Sequence, residues 1–273
     1  MRWGDMDVQG HINNAAYLDY LQEARVAFLL SGSPVLHQLL DSGVLVVSHQ
    51  LEYLKPVAFS ERPLMIKLWV DAIGGSRFSI GYEVFDGDDL AARARTAVVP
   101  FDLASNALRR LTSEERDALG QALEHAEPLR PLPKAVVPAD VHRYRLDVRW
   151  SDLDSYGHVN NVKYFEYFME ARILLTARLW KGLVEEGMPV RMVTARTDVD
   201  YKVPILFRPE PYDAWSWLTH VGERSMVIAS EIVDGGRLLA RARVAMVFVD
   251  PETSRPLAPP REVRDRLLAA PGL

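Results

Sequence analysis

Residues 2–25 read RWGDMDVQGHINNAAYLDYLQEAR, and residues 149–172 read RWSDLDSYGHVNNVKYFEYFMEAR. The two stretches align without gaps at an offset of 147 residues (149 − 2), and about half of the aligned positions are identical. Chance does not supply this density of identities, so the stretch is an internal repeat. A repeat constrains the architecture more firmly than local helix or strand propensity does.

The repeat extends well beyond this stretch. LEYLKPVAF at residues 51–59 corresponds to VDYKVPILF at residues 199–207, and LAARARTAVV from residue 90 corresponds to LLARARVAMV from residue 238. These blocks occur in the same order in both halves at an offset of 148. We therefore expect a tandem duplication of one fold.

A proline-rich stretch separates the two copies. It contains four prolines, and proline is excluded from helix interiors and from central strands. The length of 273 residues also suits two modest domains. The predicted organisation is a first domain at residues 1–125, a linker at 126–140 and a second domain at 141–273.

Each half begins with a helix pattern and continues with strand patterns. Apolar residues from Asn14 to Leu30 cover more than one helical face, which predicts a mostly buried helix that Gly32 ends. The runs that follow predict antiparallel strands at Val44–Tyr53, Leu64–Val70, Phe78–Phe85 and Leu90–Phe101. The predicted class is α+β, in which each half is one long buried helix wrapped by an antiparallel sheet.

Composition excludes several classes of function. Lys and Arg total 32 against 37 for Asp and Glu, a net charge of -5, so a nucleic-acid partner is not expected. The absence of cysteine excludes a thiol nucleophile and Cys-ligated metal sites, and it fits a cytoplasmic protein. The amino terminus has no export signal, and no apolar run approaches the ~20 residues that would cross a membrane.

One motif stands just ahead of the predicted helix in both halves: Asp-x-Asp-x-x-Gly-His-x-Asn-Asn-x-x-Tyr. The first turn of a helix offers unpaired backbone N–H groups, which can polarise a carbonyl oxygen. A carboxylate beside such donors can attack a carbonyl or activate water while the donors hold the oxyanion. Gly10 and Gly157 would let the backbone turn tightly beside a ligand. The motif therefore favours acyl transfer.

The paired motif, the helix and the strand order resemble the hot-dog-fold thioesterases of the 4-hydroxybenzoyl-CoA thioesterase type, as a tandem double hot-dog. The second copy is also similar to plant acyl-ACP thioesterases. The resemblance implies hydrolysis of an acyl-CoA thioester to a free carboxylic acid and CoA, with no metal and no redox cofactor. Catalysis would use an Asp as nucleophile or general base, with helix amides polarising the carbonyl.

The resemblance also assigns residues. The catalytic carboxylate falls on Asp7 and Asp154, and the plant motif places an assisting histidine at His11 and His158. The plant asparagine is replaced by Gln9 and Tyr156, so its role is not transferred. The carbonyl-polarising amide falls around Asn14 and Asn161. The predicted substrate-binding residues are Gly10, Gly157, Asn13, Asn14, Asn160, Asn161, Tyr17, Tyr164, Glu23 and Glu170.

Hot-dog domains generally pair, so the resemblance implies an intramolecular pseudo-dimer, and further homo-oligomerisation is left open. We expect the acyl chain to enter an apolar tunnel beside the buried helix, with the adenine nucleotide at the surface. Copy two has a strand-like stretch at Tyr144–Val148 that copy one lacks. We therefore expect Asp154 to be held more firmly than Asp7.

Other interpretations stay open at this stage. The substrate could be an acyl-ACP, or the protein could be a non-catalytic acyl-CoA sensor. The Asp-x-Asp pair is also a weak metal signature. Asp5 and Asp152 are expected to be structural residues that hold Arg2 and Arg149 or tie the turn, whereas His11 and His158 could serve either structure or catalysis.

Overall fold

A computed structural model describes residues 1–181 and 191–270 of the chain. The chain divides into two units, Met1–Leu129 and Arg130–Leu273. The organisation as two domains with a linker at 126–140 stays a prediction. Residues 182–190 and 271–273, which belong to the predicted second domain, lie outside the described residues.

The first unit contains three helices and five strands among its described residues. The helices are α1 (Ala16–Ser31), α2 (Pro34–Ser42) and α3 (Ser113–Gly120), and the strands are β1 (Val44–Tyr53), β2 (Met65–Ile73), β3 (Phe78–Asp86), β4 (Asp89–Asp102) and β5 (Ala107–Leu108). Within this unit the antiparallel sheet runs in the order β2, β3, β4, β1, and β5 pairs with β4. Strands β3 and β4 form a hairpin whose turn uses Gly87 at a φ of 64°.

Helix α1 buries one stripe of its surface. Tyr17, Leu18, Leu21 and Leu29 are almost fully buried, as the three-to-four-residue spacing predicts. The burial is narrower than the apolar pattern suggests, because Leu30 remains 47% exposed. The helix ends at Gly32, as predicted from the sequence.

The second unit repeats this plan. Its described elements are β6 (His142–Leu146), α4 (Lys163–Trp180), β7 (Arg191–Tyr201), β8 (Tyr212–Val221), β9 (Ser225–Asp234), β10 (Arg237–Val249) and α5 (Arg261–Leu268). The antiparallel sheet runs in the order β7, β10, β9, β8, β6. The turn between β9 and β10 uses Gly235 and Gly236, both at positive φ, the conformation that a tight hairpin requires.

The core of the second unit forms between α4 and one face of the sheet. Helix α4 packs against β6, β8 and β9. Leu175 from this helix meets Leu218, Ile228 and Met246 from the strands, and α5 closes the same cluster with Leu267. A helix packed on an antiparallel sheet confirms the predicted α+β class.

Two features of the first unit differ from the sequence-based expectation. Helix α2 was not predicted, because Gly32, Ser33 and Pro34 read as a break although proline suits the first turn of a helix. Strand β2 also continues to Ile73, three residues past its predicted end. Asp71 interrupts the apolar pattern there, but it is buried and paired with Arg95.

No helix among the described residues is long and apolar enough to span a membrane.

Replacing Leu21 by Ala tests the buried stripe of α1. Leu21 is fully buried, so the change should lower the free energy of unfolding by about 2–5 kcal/mol through lost burial and a new cavity. Leu30→Ala, at an exposed position of the same helix, should cost less than about 0.5 kcal/mol. Urea unfolding followed by far-ultraviolet circular dichroism measures both. Equal losses of unfolding free energy in the two variants would contradict the burial of Leu21 and the exposure of Leu30.

Candidate active site

The repeated motif forms a small closed loop ahead of each long helix. In the first unit a 3₁₀ turn at Trp3–Asp5 leads into the loop, and Met6 pairs with Ile12 in an antiparallel bridge that closes it. Across the base of the loop, the backbone N–H of Asp7 donates to the carbonyl oxygen of His11 at 2.8 Å. The structure thus brings the predicted carboxylate and the predicted histidine together at the two ends of one loop.

The Asp7 carboxylate is half-buried, and its two oxygens differ in their surroundings. Oδ1 accepts hydrogen bonds from the backbone N–H groups of Gln9 at 2.8 Å and His11 at 3.2 Å. Oδ2 accepts no hydrogen bond from the residues that the structure describes. One oxygen is therefore fixed by the loop, and the other is available to a reacting group.

The second unit repeats this geometry around Asp154. Its Oδ1 accepts from the backbone N–H groups of Tyr156 at 2.9 Å and His158 at 3.3 Å, and its own N–H donates to the His158 carbonyl oxygen at 2.8 Å. The expected advantage of Asp154 over Asp7 is not seen in these bonds. The reason is that each loop is closed by its own backbone, without help from the strand that precedes the second motif.

Glycine makes each loop turn possible. Gly10 has a φ of 78° and Gly157 a φ of 76°, both in the left-handed region, as predicted from the sequence. No atom lies within 4 Å of where a Cβ would be at either position. The requirement for glycine is therefore the backbone conformation and not a close neighbour.

The first Asp of each motif ties the loop to the helix. Asp5 Oδ2 accepts from the backbone N–H of Arg2 at 2.7 Å and from the Tyr20 hydroxyl at 2.5 Å. Burial first, and then the bond to Asp5, raises the pKa of Tyr20. The backbone carbonyl of Asp5 also accepts the N–H of Asn13 at 2.7 Å. Asp5 is thus placed as a structural residue, as expected.

Asp152 makes the same set of bonds in the second unit. Its Oδ2 accepts from the backbone N–H of Arg149 at 2.8 Å and from the Tyr167 hydroxyl at 2.6 Å. The carboxylate is buried here, whereas Asp5 is half-buried. In both units the carboxylate binds the backbone N–H of the arginine and not its side chain.

The paired asparagines shape the start of each helix. The side-chain oxygen of Asn13 accepts the N–H of Ala15 at 2.9 Å, and that of Asn160 accepts the N–H of Val162 at 3.0 Å. The carbonyl oxygen of Asn14 accepts the Tyr53 hydroxyl at 2.9 Å, and its backbone N–H donates to no acceptor among the described residues. This N–H is the donor that sequence analysis placed near the carbonyl of a substrate.

In the second unit, the carbonyl oxygen of Asn161 accepts the Tyr201 hydroxyl at 2.9 Å, which matches the first unit. Tyr164 is buried, and its hydroxyl oxygen accepts the N–H of Ile205 at 3.0 Å. Burial raises the pKa of Tyr164, and the Asp154 carboxylate adds to this rise.

The remaining predicted residues differ in their burial. Tyr17 is buried against Tyr53, with ring centroids 5.4 Å apart, and burial raises its pKa to about 12. Glu23 and Glu170 are exposed on their helices. The His11 ring is half-buried and forms no hydrogen bond with residues 1–181 or 191–270.

The rings of both histidines are therefore not tied to the helix start, a structural role that the sequence left open. The His158 ring, like that of His11, is half-buried and makes no hydrogen bond within the described part of the chain. These residues also form no metal site. No group of three or more His, Asp or Glu side chains among the described residues could hold a metal ion.

A cleft of about 590 Å³ opens beside Asp7. The loop contributes Asp7 and Gly10, the 3₁₀ turn and the residue after it contribute Trp3, Gly4 and Met6, and the segment after β1 contributes Ala58 and Phe59. That segment is held against the loop because the Ile12 N–H donates to the Val57 carbonyl oxygen at 2.8 Å. The Asp7 carboxylate is therefore neither surrounded by bulk solvent nor held in an ion pair with a described residue.

An aromatic pair flanks this cleft and was missed by sequence analysis. The rings of Trp3 and Phe59 meet edge to face, with centroids 5.3 Å apart and planes at 79°. Trp150 and Phe207 repeat the contact in the second unit at 5.5 Å and 87°. The signal that could have found them is their identity in both copies, although the partners lie more than fifty residues apart in sequence.

A smaller cavity of about 70 Å³ lies beside α4, next to His142, Leu175 and Trp217. Its volume is far below the roughly 300–1,000 Å³ of typical small-molecule sites. The predicted acyl tunnel beside the buried helix stays a prediction.

Comparison with known proteins gives a family match over most of the chain. The model of the thioesterase-like superfamily matches residues 1–141 and 148–267, one match for each half. Long-chain acyl-CoA thioesterase FadM of Escherichia coli (strain K12) is 26% identical over 132 residues, which cover 45% of this chain and 94% of FadM.

Solved structures are similar over the whole length. The 12:0-ACP thioesterase of Umbellularia californica covers 91% of each chain at 16% identity, with a TM-score of 0.69. An acyl-ACP thioesterase of Bacteroides thetaiotaomicron VPI-5482 covers 90% of this chain and 94% of its own at 16% identity, with a TM-score of 0.65. At such identities the likeness concerns the fold alone, and it confirms the predicted tandem double hot-dog.

Replacing Tyr20 or Tyr167 by Phe tests the tie between loop and helix. Each change removes one hydrogen bond to a carboxylate and should lower stability by about 1.5–3 kcal/mol. The loss should be larger for Tyr167, because its partner Asp152 is buried. Thermal unfolding measures both variants. Tyr144→Phe is the control, since its hydroxyl makes no hydrogen bond with the described residues. Losses no larger than in this control would contradict the assignment.

Proposed function

The chain belongs to the thioesterase-like superfamily and is a thioester hydrolase, and from this premise we propose that it hydrolyses acyl-CoA to a free carboxylic acid and CoA. The observation that carries the proposal is the Asp7 carboxylate, which has one oxygen fixed by the loop and belongs to a residue that lines an open cleft. The equivalent bonds around Asp154 support two sites in the chain.

The chemistry follows from this placement. As nucleophile, the carboxylate attacks the thioester carbonyl, the carbon–sulfur bond breaks, and the CoA thiolate departs. The acyl anhydride that remains on the Asp is then hydrolysed by water, which also supplies the proton that the thiolate takes up. As general base, the carboxylate takes a proton from water while the water oxygen attacks, and the proton passes to the leaving thiolate. Both routes consume one water and give one acid and one thiol.

Backbone amides would stabilise the oxyanion that forms in either route. The N–H of Asn14 is the donor that the first unit offers, and Asn161 holds the equivalent position in the second. One such donor contributes about 2.7–4 kcal/mol to the transition state where it has been measured. His11 and His158 are proposed to assist proton transfer, and Gly10, Gly157, Asn13, Asn160, Tyr17, Tyr164, Glu23 and Glu170 keep their proposed contacts with the substrate.

The carrier and the cell compartment belong to the same proposal. FadM is named as an acyl-CoA thioesterase, and its 26% identity over one half supports CoA as the carrier here. The structural relatives named for ACP substrates bear on the fold alone. The absence of cysteine supports the cytoplasm as the location.

Replacing Asp7 and Asp154 by Asn tests the mechanism. Asn keeps the shape but removes the charge, so the double variant should lose at least about 10³-fold in kcat for acyl-CoA hydrolysis. Each single variant should keep the activity of the unit that was not changed. Thiol release can be followed with a thiol reagent, because the protein itself has no cysteine to react.

The controls separate the alternatives. Asp88→Asn, in the exposed turn between β3 and β4, should leave hydrolysis unchanged. Undiminished thiol release by the double variant would rule out the two carboxylates as catalysts. Faster release from acyl-ACP than from acyl-CoA would assign the ACP carrier instead. Tight binding of acyl-CoA by the wild type without turnover would point to a sensor.

A further inference from the structure

The cleft beside Asp7 has an unusual lining. Two aromatic residues line it, and both are solvent-exposed: Trp3 is 76% exposed and Phe59 is 38% exposed. Among the residues that the structure describes, Asp7 is its single charged lining residue, and no Lys or Arg lines it. Exposed apolar rings of this size beside a reactive carboxylate leave carbon surface in water that a ligand can cover.

The charge and polarity of the lining indicate which part of a thioester fits. The phosphates of CoA would approach a carboxylate with no cation to compensate them, which is unfavourable. The pantetheine arm carries amides that lose hydrogen bonds against apolar rings. The acyl group carries neither a charge nor an amide, and it is bonded directly to the carbonyl that Asp7 is proposed to attack.

The second unit keeps the aromatic pair but changes the small residues around it. Trp150 and Phe207 hold the same edge-to-face contact. At the position equivalent to Ala58, offset by 148 residues, the second unit has Leu206, which is 52% exposed. A leucine side chain is three carbons larger than that of alanine, so it would fill more of an equivalent cleft.

We propose that the cleft at Trp3 and Phe59, instead of the tunnel beside the buried helix that the sequence predicts, binds the acyl group of the substrate, and that Ala58 in the first unit and Leu206 in the second set different limits on acyl size. The first unit accepts the larger acyl groups. This inference rests on the proposed function, because it takes Asp7 and Asp154 as the carboxylates that act on the thioester.

Exchanging the two side chains tests the inference one unit at a time. Ala58→Leu is made in an Asp154→Asn background, where the first unit alone is active, and Leu206→Ala is made in an Asp7→Asn background. Thiol release is measured with saturated acyl-CoAs from acetyl-CoA upward in length. Ala58→Leu should lower kcat/KM by about tenfold for the longest acyl groups and leave acetyl-CoA within about twofold. Leu206→Ala should raise kcat/KM for the same long acyl groups.

Two further variants guard against misfolding and against non-specific effects. Trp3→Ala in the Asp154→Asn background should raise KM for long acyl groups by about fourfold or more, because it removes apolar surface that the chain covers. Leu108→Ala removes an equally exposed apolar side chain that does not line the cleft, and its chain-length profile should match that of its parent.

The outcomes distinguish this inference from the proposed function. Hydrolysis with an unchanged chain-length profile in both exchange variants would overturn the acyl subsite while the function stands. An equal loss for every substrate, acetyl-CoA included, would assign the cleft to the pantetheine arm and would also overturn it. Failure of the wild type to release thiol from any acyl-CoA would remove both.

Discussion

The hydrogen bonds received by Asp5 hold the site together. Its carboxylate accepts from the chain that enters the loop, at Arg2, and from Tyr20 on the second turn of α1. Its backbone carbonyl accepts from Asn13, where the loop returns to the helix. The two bonds to the charged carboxylate are stronger than neutral ones, and together with the backbone bond they fix three chain segments around one residue. The position of Asp7, and that of the helix amides, depends on this tie.

The duplication shows which parts of this arrangement are constrained. The hydrogen bonds to Asp5 have the same lengths as those to Asp152 within about 0.1 Å, and the same holds for Asp7 and Asp154. Side chains differ at about half of the aligned motif positions, Gln9 and Tyr156 in the loop among them, and they also differ beside the aromatic pairs at Ala58 and Leu206. The loop therefore keeps its hydrogen bonds although the side chains around it change.

Local patterns predicted the elements well where apolar periodicity and burial agree. Strand β1 has the predicted bounds, and α1 ends at the predicted glycine. Prediction failed where a partner distant in sequence allows a polar residue to be buried inside an element. Asp71 looks like a strand end, but Arg95 on another strand pairs with it and lets β2 continue. Tyr20 lies within the apolar helix pattern, and only the folded chain shows that its hydroxyl donates to Asp5 of the motif.

The sequence alone determined the duplication, the α+β class and the motif loop, because these follow from repeated letters and local periodicity. The choice of Asp7 and Asp154 as candidate carboxylates came from the resemblance to a known family. The tertiary structure decided what surrounds them. It placed Phe59 against Trp3, opened a cleft beside Asp7, and left Glu23 in solvent. Such contacts join residues far apart in the chain, and only the folded backbone fixes the distances between them.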